Sequence, residues 1–287
     1  PAYNSANYLP EAINSVLAQT YPNLEIIIWD DGYTDATREL VGKYQSRDRR
    51  VKYFFGENRG LSAARNSAIR RSFGEYIALL DADDIFLPRK IERQIAHLEG
   101  HPECDASYCD LHHFWDGRPE TAFRPDYPRY SGEDVFPNLL RRFFIAPITV
   151  VLRKSVFDRF GYFDETVRVA EDFDFWLRAA YRGVRVCFLP EILCKLRLRD
   201  TDNLQSIANQ PAMKRSALSC VEKIFLQMSP ADRRRHKIRF FLTEYRLKVV
   251  GAELLVGNRA AAMREASLVF GDYPAPGLWG GMLIWAV

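Results

Sequence analysis

The sequence predicts an α/β fold: a mostly parallel sheet flanked by helices, followed by a helical appendage. Three observations carry that prediction. Up to about residue 198, short apolar runs alternate with segments of helical period, the pattern of βαβ units and right-handed crossovers. The run Tyr76–Leu80 holds no polar residue and reads as a strand buried on both faces of such a sheet. Beyond Pro211 the alternation stops and only the helical period remains.

Taken in order, Pro1-Ala2-Tyr3-Asn4 reads as the end of a strand whose body lies upstream, and because the first residue is Pro, the natural N-terminus is expected further upstream. Leu9, Ala12, Ile13, Val16 and Leu17 form one apolar helix face, with Pro10 and Glu11 suited to its first turn. Leu24 to Trp29 is the next strand, ending at Asp30-Asp31-Gly32, and Thr34-Asp35 starts a helix towards Tyr44. A strand over Val51 to Phe55 and the loop Gly56–Gly60 lead into a helix from Leu61 to Phe73. Pro88 opens a helix through Glu99, and Ala106 to Cys109 is a short strand. The Pro-, Arg- and Tyr-rich stretch Asp116–Gly132 reads as the longest irregular loop, of the kind that forms lids or binding loops. Ile148 to Arg153, Val184 to Leu189 and Ile192 to Leu198 are strands, and Glu171 enters a helix with Trp176, Leu177 and Ala180 on one face. The expected division is a body over 1–209 and a helical region over 210–287, where Leu242, Tyr245, Val249, Ala252 and Val256 mark an amphipathic face. The apolar end Leu278–Val287 is too short to span a bilayer.

At 287 residues with 47% apolar content, the chain can bury a sizeable core. Five cysteines without a C-x-x-C pair argue for reduced thiols in a cytoplasmic setting, and against a disulfide frame or a zinc site. The net charge of +3 hides an asymmetry: residues 210–287 carry 12 Lys/Arg against 6 Asp/Glu, while the rest carries 28 against 31. The basic tail favours an anionic partner, with peripheral contact at the inner face of a membrane as the expectation and no nucleic acid.

The chemistry lies at strand ends. Tyr76–Leu80 runs into Asp81-Ala82-Asp83-Asp84, and carboxylates packed that closely call for a cation among them. Oxygen ligands of this kind suit Mg²⁺ or Mn²⁺, which in turn suits a diphosphate. Asp30/Asp31, Arg65 and Glu171/Asp172 stand at other predicted strand ends or at the helix starts beyond them. The ordered segments PAYN, DDGYTDAT, NRGLSAARN, GEYIALLDADD and AEDFDFWLR resemble those of a family 2 inverting glycosyltransferase of GT-A fold, over roughly residues 1–206.

That resemblance implies a nucleotide-diphosphate sugar donor, typically a UDP-sugar, a divalent cation, and transfer to a hydroxyl of a saccharide or lipid-linked acceptor, as in cell-surface polysaccharide or glycolipid synthesis. By the same resemblance Tyr3 packs on the base, Asp31 hydrogen-bonds it and Arg65 lies near the nucleotide. Asp81 lies near the ribose and sugar, Asp83 ligates the metal, and Asp172 of the Glu171-Asp172 pair is the base. Displacement at an anomeric carbon asks for such a base independently of the family. Trp29 and Tyr33 depart from the family pattern beside Asp31, and Arg199 stands where relatives often carry a histidine near the diphosphate. His112-His113 is discounted as a metal pair, since neighbours in a strand face opposite ways. The rival readings are a catalytically impaired nucleotide-sugar-binding relic, a sugar-phosphate nucleotidyltransferase without its Gly-rich opening loop, and a phosphatase, whose nucleophile loop would normally open the domain.

Overall fold

The computed structural model describes residues 1–32, 34–199 and 207–272. The chain forms two compact units, Pro1–Asp200 and Thr201–Val287.

The first unit begins with helix α1 (Leu9–Leu17), strand β1 (Ile26–Asp30), helix α2 (Thr37–Gln45) and strand β2 (Val51–Phe55), and β1 and β2 pair in parallel. Ala2 extends this pairing by a parallel bridge to Asp30, donating to the Trp29 carbonyl at 2.8 Å and accepting from the Asp31 amide at 2.9 Å. Ala2, Leu9, Ile13, Ile28, Val41 and Val51 close a small core under this sheet.

Helix α3 (Leu61–Arg71) leads to β3 (Tyr76–Ala78), β4 (Ile85–Phe86), α4 (Lys90–Gly100), β5 (Ala106–Trp115) and β6 (Arg118–Phe123). After α5 (Val135–Leu139) come β7 (Val150–Arg153), α6 (Ser155–Phe160), α7 (Glu171–Tyr181) and β8 (Val186–Leu198). These strands form a second sheet in the order β3-β7-β5-β8-β4, with β6 paired to β5. Its core joins Phe86, Ile91, Ile95 and Leu98 to Leu111, Val151 and Leu193.

The expected parallel pairing holds for β1–β2 and β5–β8, whereas β3–β7, β5–β7, β4–β8 and β5–β6 are antiparallel. The simple βαβ alternation ends after β3: the later antiparallel pairs need no crossover helix, while the parallel pair β5–β8 is joined by a connection that runs through β7, α6 and α7. Strand β3 is shorter than expected and pairs on one edge. Between it and β1 lies a cavity of about 650 Å³, lined by Ile26–Ile28 on one side and Tyr76–Leu80 on the other.

Several expectations are corrected. The strand expected to end at Cys109 continues to Trp115, and the two expected over 184–198 are one, β8. Part of the Asp116–Gly132 stretch is a strand: Gly117, at φ +69°, closes a hairpin that pairs Trp115 with Arg118 and His113 with Phe123. Its sequence, RPETAF, has no clean alternation to betray it. Cys104 and Cys187 form a disulfide, contrary to the expectation of reduced thiols throughout. They are 83 residues apart, and only the parallel register of β5 and β8, which aligns Ser107 with Cys187, brings them together. His113, one of the two adjacent histidines, is buried against Phe123 and Tyr127.

The second unit holds α8 (Gln210–Gln227), α9 (Pro230–Arg235), α10 (Ile238–Leu255) and α11 (Arg259–Asp272). Arg215 pairs with Glu253 at 2.8 Å, and Arg246 with Glu222 and Glu265 at 2.9 and 3.0 Å, so part of its positive charge is neutralised internally. Among the described residues no helix is long and apolar enough to cross a membrane. Leu278–Val287 lies outside the described residues.

Candidate active site

The site is built from the ends of β1, β3 and β8 and the starts of α3 and α7. At the end of β1, Asp30 is buried and accepts from the Tyr53 hydroxyl at 2.8 Å, so it supports the turn. Asp31 is also buried: Oδ1 accepts from the Arg59 amide at 3.0 Å and Oδ2 from the Gly60 amide at 2.8 Å. The carboxylate therefore anchors the loop that starts α3. Gly60 is required there, because its φ is +91° and a Cβ would come within 2.5 Å of Arg168 Nη1. Tyr3, beside Asp31 through the Ala2 bridge, is 52% exposed and presents a free aromatic face. Trp29 packs instead towards Gly56 and Arg71, and Tyr33 lies outside the described residues.

Helix α3 turns a polar face inward. Ser62, Arg65 and Asn66, at i, i+3 and i+4, are all buried. Ser62 Oγ donates to the Val167 carbonyl at 3.2 Å. Asn66 Nδ2 donates to the Phe163 carbonyl at 2.9 Å, and its Oδ1 accepts from the Phe163 amide at 3.1 Å. These two residues clamp the segment leading to α7. They were missed in the sequence, although three polar residues on one face of an Ala-rich helix are the signal.

Arg65 is the centre of the site. Its side chain is 2% exposed, and it reaches Asp81 with Nη2 at 2.7 and 3.0 Å and Glu171 with Nη1. Burial works against its charge, but Asp81 and Glu171 hold the guanidinium firmly protonated. Burial likewise opposes ionisation of Asp81, and Arg65 outweighs it, keeping that carboxyl below its ordinary range. Arg65 thus ties the acidic loop after β3 to the start of α7.

Three carboxylates open α7, and the structure separates them. Glu171 is taken by Arg65, and Asp174 by Arg178 at 2.7 Å. Asp172 holds no ion pair among the described residues and is half-buried. Burial, then the neighbouring charge of Glu171, push its carboxyl up to about 7. Asp172, the expected base, is the one of the three without an ion pair among the described residues. Glu171, expected beside it as a catalytic residue, pairs with Arg65. Ala170, immediately before the helix, adopts a left-handed backbone at φ +61°, uncommon for a residue with a Cβ.

On the other side, Asp83 is a quarter exposed, and burial together with the charge of Asp81 raises its carboxyl. Asp84 is buried and raised well above its ordinary value by burial, then by Asp83 and Asp81, while Oδ1 accepts from the Arg197 amide at 2.9 Å. Arg199 Nη2 lies 2.9 Å from Asp83 Oδ2, so this arginine stands in the acidic loop. Among the described residues no group of three or more His, Cys, Asp and Glu forms a metal cage. The donor set still fits a hard cation held by one or two carboxylates and shared with phosphates and water. Of the three loop carboxylates, Asp81 pairs with Arg65, Asp84 is buried, and Asp83 is a quarter exposed and pairs with Arg199.

Solved structures that share this fold are GT-A glycosyltransferases. Staphylococcus aureus TarS 1–349, crystallised with UDP-GlcNAc, superposes with a TM-score of 0.69 at 19% identity, covering 96% of this chain and 90% of that one. Mannosyltransferase PcManGT of Pyrobaculum calidifontis, in complex with GDP-Man and Mn²⁺, has a TM-score of 0.65 at 20% identity, covering 100% of this chain and 81% of that one. The chain belongs to glycosyl transferase family 2, whose model matches residues 1–160. A Rickettsia typhi protein named as an uncharacterized glycosyltransferase is 36% identical over 217 residues, 73% of this chain. The chain spans 66% of that relative's length. A Bacillus subtilis protein named as a candidate teichuronic acid biosynthesis glycosyltransferase is 30% identical over 69% of this chain and 77% of its own.

Proposed function

We propose that the protein transfers a sugar, with inversion, from a nucleotide-diphosphate donor to an acceptor hydroxyl, and that the donor is a UDP-sugar. The observation that carries this is Asp172: a carboxylate without a cation partner, poised near pH 7, two residues into α7 and facing the Arg65–Asp81 pair. A base with a pKa near the working pH accepts a proton most efficiently. Asp172 takes the proton of the acceptor hydroxyl, whose oxygen attacks the anomeric carbon. The diphosphate departs from the opposite face.

On that face Asp83 would hold Mn²⁺ or Mg²⁺, with Asp81 near the ribose and sugar. A bound cation supplies neutralisation of the leaving diphosphate. Tyr3 stacks on the base, and Asp31, whose oxygens keep lone pairs beyond their two backbone bonds, receives the base edge. The fold of TarS and PcManGT, both crystallised with nucleotide sugars, supports a donor of this class. The name of the Bacillus relative supports an acceptor in cell-surface polysaccharide or glycolipid synthesis.

A panel of UDP- and GDP-sugars, assayed for hydrolysis and transfer with Mn²⁺, Mg²⁺ or EDTA, tests the reading. Cation-dependent turnover of at least one donor is expected. Asp172→Asn should lower it by a factor of ~10²–10⁴ while leaving donor binding intact. Equal turnover by Asp172→Asn would remove the base assignment. Donor binding without turnover in the parent would favour the impaired binding relic.

A further inference from the structure

We propose that Arg199 and the divalent cation compete for the Asp83 carboxylate, and that the donor resolves the competition by drawing Arg199 onto its diphosphate. This rests on the reading of Asp83 as a cation ligand. Two arginines reach the acidic loop from β8 and the residue that follows it, and they are held in different ways. Arg197 is a building element: its amide donates to Asp84 Oδ1 at 2.9 Å and Nε to the Asp83 carbonyl at 2.8 Å. Its Nη1 reaches Asp116 at 2.7 Å and its Nη2 reaches Glu11. These bonds leave Arg197, whose side chain is 6% exposed, no freedom to follow a ligand.

Arg199 is held differently. It is 37% exposed, lies over the Tyr8 ring at 5.4 Å, and makes its ion pair with the carboxylate that a cation would need. Tyr8 is itself fixed by a 2.9 Å hydrogen bond from its hydroxyl to Asp116, so the ring is a stable shelf for the guanidinium. A divalent ion on Asp83 would stand within a few ångströms of a permanent positive charge. A cation arriving alone must therefore displace Arg199 and leave it without its anion. A cation arriving with a diphosphate brings the replacement, two oxygens matching the planar fork of the guanidinium.

Cation and diphosphate then bind cooperatively, and by linkage each strengthens the other by the same factor. A neutral side chain at 199 would not compete in this way. Arg199 is thus placed to make the chain refuse a bare cation and to touch the leaving group in the loaded state.

The test is calorimetric titration of Mn²⁺ into the full chain, with and without saturating UDP, and with GDP as a second nucleotide, for the parent, Arg199→Ala, Arg199→Lys and Asp83→Asn. Arg199→Ala should bind Mn²⁺ alone several-fold more tightly than the parent. The enhancement by nucleotide, about 5–150-fold for ordinary coupling, should largely disappear. Arg199→Lys should still resist bare Mn²⁺ but lose most of the enhancement, because it keeps the charge without the fork. If Asp83→Asn abolishes Mn²⁺ binding while Arg199→Ala changes neither affinity, the cation site stands and the competition is refuted. If Asp83→Asn leaves Mn²⁺ binding unchanged, Asp83 is no ligand and both readings fall.

Discussion

Replacing Arg65 by leucine is the most informative single perturbation of this site. The side chain is 2% exposed and pairs with Asp81, 33% exposed, and Glu171, 10% exposed. Leucine fills much of the volume but leaves both carboxylates without their cation, and breaking a buried ion pair from one side costs about 3–5 kcal/mol. Water screens part of the charge on Asp81, so the lower end, about 3 kcal/mol, is expected. For a unit spanning Pro1–Asp200, about 2–4 °C in Tm per kcal/mol gives a fall of roughly 6–12 °C.

The sign of the pH dependence follows from Asp81. Arg65 holds its carboxyl below the usual range, so the stabilisation is present above the unfolded value near pH 4 and is lost as pH falls through the folded one. With that cation gone in the variant, the deficit should be full at pH 7 and shrink by about pH 3, below the unfolded value of Asp81. Urea unfolding followed by circular dichroism at both pH values measures this. Combining Arg65→Leu with Asp81→Asn and Glu171→Gln should recover most of the loss. A deficit below about 1 kcal/mol at pH 7, or one that does not change with pH, would show that Arg65 does not hold the two carboxylates together.

Three further outcomes are expected. Because burial and Glu171 lift Asp172 to about 7, transfer should fall as pH drops below that value, and single-turnover rates that stay flat from pH 8 to 5.5 would contradict it. Removing the Cys104–Cys187 disulfide, which closes a loop of 83 residues, should cost about 2–4 kcal/mol, read as a lower Tm for Cys187→Ser or after reduction; an unchanged Tm would refute this. Arg234, Arg235, Lys237 and Arg239 are exposed beside Phe240, 48% exposed, so co-sedimentation with acidic liposomes should occur and weaken as salt rises; binding indifferent to both lipid charge and salt would refute it.

What the sequence made legible was the part governed by local rules. An unbroken apolar run ending in carboxylates marked β3 and its acidic loop, and helix periodicity marked α1 and α7. Register was not legible. Nothing in residues 104 and 187 taken alone says that β5 and β8 will lie side by side, which is why their cysteines were expected to stay reduced. Nor does periodicity separate Glu171, Asp172 and Asp174. All three are first-turn acids by sequence, and only the positions of Arg65 and Arg178 leave Asp172 without an ion pair.

The end of β8 shows how a pattern can be visible and still be read too narrowly. Leu196-Arg197-Leu198-Arg199 alternates with the period of a strand, so one face is apolar and both arginines project to the other. That geometry brings two guanidiniums to a loop of three aspartates: Arg197 bonds the Asp83 carbonyl and Asp84, and Arg199 pairs with Asp83. Read alone, Arg199 is only a residue standing where relatives often carry a histidine near the diphosphate. Read with Arg197, it belongs to a divided arrangement in which one arginine bonds the loop backbone and the other pairs with the Asp83 carboxylate. A loop with three carboxylates needs both, because Asp83 and Asp84 are raised by burial and by their neighbours even with these arginines in place.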